Sequence, residues 1–139
     1  MAIDGLEIKN NCIVHENEDR KVFEIFNDDK SDKNFFLAKN ERAFIVKKDT
    51  WIGDHYRDNW EYYSLLLGEA YWFFEDMKTG EREFHLIKRE GRIKLPPNVA
   101  LALKAKIGTI VIGRYYKPFQ ELKTNKHILE WARKLENAN

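Results

Sequence analysis

The sequence predicts an all-β domain, an antiparallel sandwich or barrel of about nine short strands followed by one C-terminal helix. Three observations lead there. Short runs rich in β-branched and aromatic residues recur from residue 21 to 116, separated by Gly, Pro, Asn and Asp; many short strands joined by turn residues are the mark of a sandwich or barrel. No helical period falls between these runs, which excludes a parallel sheet with crossover helices. Apolar residues at helical spacing occur in the tail alone.

The elements follow in chain order. Residues 21–26 (KVFEIF) read as the first strand, and residues 27–34 (NDDKSDKN) as a polar loop without apolar period. Residues 34–37 and 42–47 (RAFIVK) read as two more strands. Residues 60–74 (WEYYSLLLGEAYWFF) are the densest β signal; Gly68 divides them into two strands with a tight turn. Residues 76–80 (DMKTG) are a hairpin turn. Residues 81–88 (EREFHLIK) alternate polar and apolar, as a half-buried strand does, and residues 91–95 (GRIKL) continue the pattern. Pro96, Pro97 and Asn98 end it, because proline cannot donate to a ladder. Residues 99–104 (VALALK) and 109–116 (TIVIGRYY) complete the strands. Residues 125–136 place Ile128, Leu129, Ala132 and Leu135 on one helical stripe, with Thr124 or Asn125 as the N-cap. This helix is expected to pack on the sheet as a lid.

The 139 residues make one domain, with the barrel at about 20–118 and the helix at about 125–137. Aromatic residues are 14% of the chain, too much core material for a disordered protein. Twenty-four basic residues meet 23 acidic ones, which argues against a basic nucleic-acid-binding face. Cys12 is the one cysteine, so an internal disulfide and a CxxC metal site are excluded. No apolar run reaches the length of a membrane span and no signal peptide is evident, so a cytoplasmic domain is expected. The aromatic run at 60–74 is expected to serve core and interface packing, which suggests a homodimer.

The informative stretch is residues 53–68, GDHYRDNWEYYSLLLG. Strand alternation puts His55 and Arg57 on one face, and Glu61, Tyr63 and Leu65 on one face of the next strand. An imidazole, a guanidinium, a carboxylate and a phenol then converge. Four such groups on an inward face are costly to bury without a partner or ligand. A structural reading stands beside this one, in which Arg57 and Glu61 pair and His55 is only a hydrogen-bonding residue.

These residues resemble the first motif of the cupin superfamily. His55-x-Arg57, three residues, Glu61, six residues and Gly68 match its His-x-His, Glu and Gly in spacing. Gly91, five residues and Pro97 match the start of the second motif, whose His and Asn positions are Ala100 and Lys104 here. Residues 20–26 (RKVFEIF) and the run IGDHYR resemble segments of the deoxythymidine-diphosphate-4-dehydrorhamnose epimerases, with Lys21 in place of a Gly and Ile52 in place of an Arg. The short spacing from His55 to Gly68 is similar to that of the sugar-nucleotide ketoisomerases.

The resemblance implies a jelly-roll barrel acting on a nucleotide-linked sugar by proton abstraction next to a keto group, with no cofactor. His55 would be the base and Tyr63 the acid. Arg57, Glu61 and Lys104 would bind the substrate, Arg57 holding the enolate or the diphosphate. No metal is expected, because Arg57 is a permanent cation in a ligand position. The alternatives are a non-catalytic cupin that binds a sugar or small metabolite, and a metal-dependent cupin enzyme.

Overall fold

The computed structural model describes residues 3–116 and 123–138, so the expected barrel boundary at 118 lies outside the described residues. In chain order the elements are β1 (Glu7–Asn10), β2 (Cys12–Glu16), β3 (Lys21–Glu24), a 3-10 turn (Asn27–Asp29), α1 (Lys33–Leu37), β4 (Asn40–Ile45), β5 (Thr50–Tyr56), β6 (Glu61–Leu67), β7 (Glu69–Asp76), β8 (Arg82–Lys88), β9 (Gly91–Leu95), β10 (Val99–Ala105), β11 (Ile110–Tyr115), β12 (Lys123–Thr124) and α2 (Ile128–Ala138). One five-stranded sheet has the order β1-β9-β6-β11-β4 and the other β12-β5-β10-β7-β8, while β2 and β3 form a separate hairpin. All ladders are antiparallel. The antiparallel all-β architecture expected from the strand pattern is observed, in the form of the jelly roll that the resemblance implies.

Alternation builds the core. Tyr63 and Leu65 of β6, Trp72 and Phe74 of β7, Ile93 and Leu95 of β9, Leu101 and Leu103 of β10, and Val111 of β11 form one buried cluster between the sheets. Gly68 does divide two strands, but they belong to different sheets and do not pair. The chain turns a corner there, at φ +83°, and a Cβ would lie 2.5 Å from the Thr109 hydroxyl. The turn at 76–80 joins β7 to β8 as expected; the Asp76 amide donates to the Glu81 carbonyl at 2.9 Å.

Three expectations change. Residues 34–37 lie in the short helix α1, not in a strand: the Asp32 carboxylate caps it, accepting from the Asn34 amide at 2.9 Å. Phe35 alone of its apolar residues is buried, while Phe36 is 69% exposed. The polar segment 27–34 is not simply a solvated loop. It lies on the outer face of the first sheet, where Asp29 is buried against Arg92 at 2.9 Å and Asp32 takes Lys94 at 2.7 Å and the Tyr62 hydroxyl at 2.9 Å. Burial pushes the Asp29 carboxyl up to about 6 against the pull of Arg92. The strands β1 and β2 were not anticipated, because EIKN and CIVHE carry no clean apolar period.

The C-terminal helix packs on the second sheet as a lid. Ile128 meets Ala100 and Ala102 of β10, whose small side chains allow close approach, and Trp131 meets Phe73 edge-on at 5.7 Å. The regular helix starts at Ile128, and Asn125 caps the turn before it as expected, its Oδ1 accepting from the His127 amide at 2.9 Å. The Asn125 amide donates to the Asp54 carbonyl at 2.7 Å and its side chain to Glu75 at 2.8 Å. The first helical turn then closes on the His127 carbonyl, which accepts from Trp131 at 3.0 Å. Among the described residues no helix is long and apolar enough to cross a membrane.

Candidate active site

A bulge in β5 decides where His55 points. Leu101 of β10 lies opposite His55 and Ala102 lies opposite Gly53, so Asp54 is an extra residue. Gly53 and Asp54 both have positive φ, +94° and +134°. Ile52 packs against the core, and strict alternation from it would turn His55 outward. The extra residue places His55 on the inward face beside Leu101 instead. Tyr56 then faces α2.

Gly53 is required for this geometry, since a Cβ there would lie 2.7 Å from the Leu101 carbonyl oxygen. Gly53→Ala is therefore expected to cost about 1–3 kcal/mol through the backbone conformation alone. A urea midpoint lowered by about 1 M would show it; an unchanged midpoint would mean that the bulge is easily remodelled.

Arg57 follows the end of β5, where the Asn98 amide pins its carbonyl at 2.7 Å. The expected ion pair with Glu61 is present and buried: Arg57 Nη1 donates to Glu61 Oε1. The Tyr63 hydroxyl donates to the same oxygen at 2.7 Å. The Arg57 guanidinium lies 4.6 Å from the centre of the Tyr115 ring, and Tyr115 meets Tyr63 edge-on at 5.8 Å. Gly113, opposite Tyr63 in the ladder, leaves the space for this; a Cβ on it would lie 2.2 Å from the Tyr115 hydroxyl. Glu61 Oε2 has no hydrogen-bond partner among the described residues.

The electrostatics follow from burial. Desolvation, helped by the Arg57 charge, holds the His55 imidazole below its ordinary value, so it is neutral at pH 7. Burial pushes the Glu61 carboxyl up, against the pull of Arg57 and Tyr63. Tyr63 and Tyr115 are both pushed up by burial and by the Glu61 charge, so both phenols keep their protons.

Two expected site residues are placed differently. Lys104 does not face inward. Leu101 and Leu103 take the inward positions of β10, so alternation sends Lys104 outward, opposite Trp51 and Tyr71. Its ammonium lies 2.5 Å from Glu136 of α2. Tyr63 is inward, but it is 4% exposed and its hydroxyl donates to Glu61. Arg57, Tyr63 and Trp72 are buried in the interior, whereas His55 and Tyr115 are half-buried. The expectation missed Tyr115; the pattern Val111, Gly113, Tyr115 was its available signal, with one small residue beneath an aromatic one. Among the described residues no group of three or more His, Cys, Asp or Glu could hold a metal ion.

No family model and no curated protein matches the chain. Solved structures do. The 3'-monoepimerase ChmJ of Streptomyces bikiniensis, in complex with dTDP-quinovose, superposes with a TM-score of 0.75 at 13% identity, over 89% of this chain and 71% of that one. A variant of the 3,4-ketoisomerase QdtA of Thermoanaerobacterium thermosaccharolyticum, in complex with TDP-4-keto-6-deoxyglucose, gives 0.71 at 13% identity over 96% and 97%. RmlC of Streptococcus suis, in complex with dTDP-D-xylose, gives 0.66 at 19% identity over 95% and 70%.

The chain has the cupin fold. In cupin terms, the first-motif positions His55, Arg57 and Glu61 all lie inside the barrel, brought together by the β5 bulge and the inward phase of β6. The second-motif positions do not join them. Ala100 faces α2 and Lys104 faces Glu136.

Proposed function

We propose that this cupin is a sugar-nucleotide isomerase or epimerase that needs no metal and works by proton abstraction next to a keto group. The observation that carries the reading is a neutral, half-buried imidazole at the barrel rim, near a permanent cation and a protonated phenol. His55 takes the proton from the carbon beside the ketone, and the C–H electron pair moves into an enolate. The Arg57 charge, held in place by Glu61 and Tyr63, stabilises the developing oxyanion. In epimerisation Tyr115, in the role first expected of Tyr63, gives its proton to the opposite face of the same carbon, and the imidazolium and tyrosinate are reset by proton exchange with water; in ketoisomerisation the hydroxyl proton of the first carbon passes to the enolate oxygen and His55 gives its proton to the neighbouring carbon. The fold of ChmJ and QdtA, both solved with deoxythymidine or thymidine diphosphate sugars, supports that substrate class. The work belongs to deoxysugar or surface polysaccharide synthesis in the cytoplasm. The protein acts as a homodimer, a reading supported by Ile13, Val14 and Val22 standing exposed on the β2–β3 hairpin.

A second reading, a non-catalytic binder of a sugar or small metabolite, is favoured by the filled interior around Arg57 and Tyr63. Incubation with TDP-4-keto-6-deoxyglucose in deuterium oxide separates the two. Deuterium at the carbon beside the ketone, seen by mass spectrometry, is the expected result. Ligand binding without exchange would establish the binder instead.

A further inference from the structure

Strand β8 is an open edge. It stands at the end of the second sheet, paired with β7 on one side, and among the described residues no strand pairs with its other side. With seven residues it is longer than the other strands at sheet ends, since β1 has four, β4 six and β12 two. Its outward side chains are apolar: Phe84 is 50% and Leu86 41% exposed, and Tyr71, opposite Leu86 on β7, is 46% exposed. The apolar ground continues toward α2 around a recess of about 170 Å³, lined in part by Tyr71, Phe73, Phe84 and Leu135. Proteins usually blunt an edge with proline, a bulge or a row of charges. The β8 strand has no proline, and its pairing with β7 runs without a bulge.

The charges at its two ends select the occupant. Arg82 at one end meets Glu75 at 3.5 Å and lies over the Trp131 ring. At the other end Lys88 and Arg89 are exposed, and among the described residues neither takes part in an ion pair. A second β8 strand fits poorly. Antiparallel pairing about His85 sets Arg82 against Lys88, and parallel pairing in register sets Lys88 against Lys88; like charges directly opposite are destabilising.

We infer that β8 receives an extended segment of another protein, which completes the ladder, places apolar side chains opposite Phe84 and Leu86 and sets carboxylates against Lys88 and Arg89. The main-chain hydrogen bonds supply affinity and the alternate side chains supply selectivity. The apolar contacts form on the outer face of the sheet, whereas His55 lies on the inward face. Docking there leaves the proposed chemistry unobstructed and does not depend on it.

The test uses the full chain and two short fluorescein-labelled peptides. Each carries valine and phenylalanine at alternate positions; one ends in two glutamates and the other in two lysines. By fluorescence anisotropy the glutamate peptide is expected to bind, and the lysine peptide to bind about 10-fold more weakly. Hydrogen exchange of the β8 amides should slow with the glutamate peptide, while that of β4, an edge of the other sheet, should stay the same. Leu86→Thr should weaken the glutamate peptide by about 2–5-fold, and Lys88→Glu should reduce or reverse the preference between the peptides. Both side chains are exposed, so each variant should melt with the wild type. Equal binding of the two peptides by wild type would overturn the proposal, as would no binding of the glutamate peptide at millimolar concentration. The dimer proposed on the β2–β3 hairpin should persist in Leu86→Thr; a dimer that this variant dissociates in sedimentation would assign the edge to a second copy and overturn the proposal.

Discussion

Replacing Arg57 with Met is expected to lower the melting temperature by roughly 10–20 °C, even though the substitution adds no polar group to the core. Glu61 is 1% exposed, and its carboxylate faces the Arg57 guanidinium and the Tyr63 hydroxyl. Removing the cation leaves a buried carboxylate with one neutral donor. Breaking a buried pair in this way costs about 3–5 kcal/mol, and in a chain of this size each kcal/mol moves the midpoint by a few degrees. Two further measurements identify the cause. The deficit should narrow as pH falls, because burial already raises the Glu61 carboxyl and a protonated Glu61 no longer needs the cation. The double variant Arg57→Met with Glu61→Leu should recover most of the loss, since replacing both partners by apolar groups is often neutral. A double variant as unstable as the single one would show that Arg57 acts through its packing on Tyr115 instead.

His55→Asn should leave the fold intact and reduce proton exchange by about 10²–10⁴-fold, the usual contribution of a positioned general base. The pH dependence adds a sharper test. A base is active when deprotonated, and burial together with Arg57 lowers the His55 value below 6.5. The acid limb of kcat/KM should therefore lie below pH 6.5. Stability follows the same sign. The unfolded chain takes up the His55 proton first as pH falls, so stability is fully present above about pH 6.5 and is lost as pH drops toward the lowered value. His55→Asn should remove this part of the acid destabilisation. Exchange at the wild-type rate in His55→Asn would remove His55 from the mechanism and return attention to Tyr115 and Arg57 as purely binding groups.

How much of the site is legible in the sequence differs residue by residue. Glu61 and Tyr63 follow from alternation along β6, which is regular, so their inward phase is readable from EYYSLLL. His55 is a different case. It was assigned to the right face, but the face is set by the bulge at Asp54, which the sequence marks with nothing stronger than one Gly. Lys104 shows the opposite failure. Its motif position suggested an inward role, while the alternation of VALALK already pointed Leu101 and Leu103 inward and Lys104 out. Local pattern was the better guide there, because burial of two leucines outweighs a spacing match. The segment 34–37 reads as a strand from its apolar content, NFFL, and the Asp32 cap makes it a helix instead.

The sequence alone determined the class of the fold, the strand break at Gly68, the hairpin at 76–80, the stop at Pro96 and Pro97, and the presence of a C-terminal helix. Each of these is a local property, set by glycine and proline backbone preferences or by the period of apolar side chains. The tertiary structure decided which strands share a sheet, that Gly68 is a corner between the two sheets, that Tyr63 is buried with Arg57 and Glu61, that Tyr115 lies across Gly113, and that Lys104 pairs with Glu136 of the lid. Those outcomes depend on the register between strands far apart in the chain and on one inserted residue in β5. A single-residue shift in a strand reverses the face of every side chain after it, and no local pattern records where the partner strand will sit.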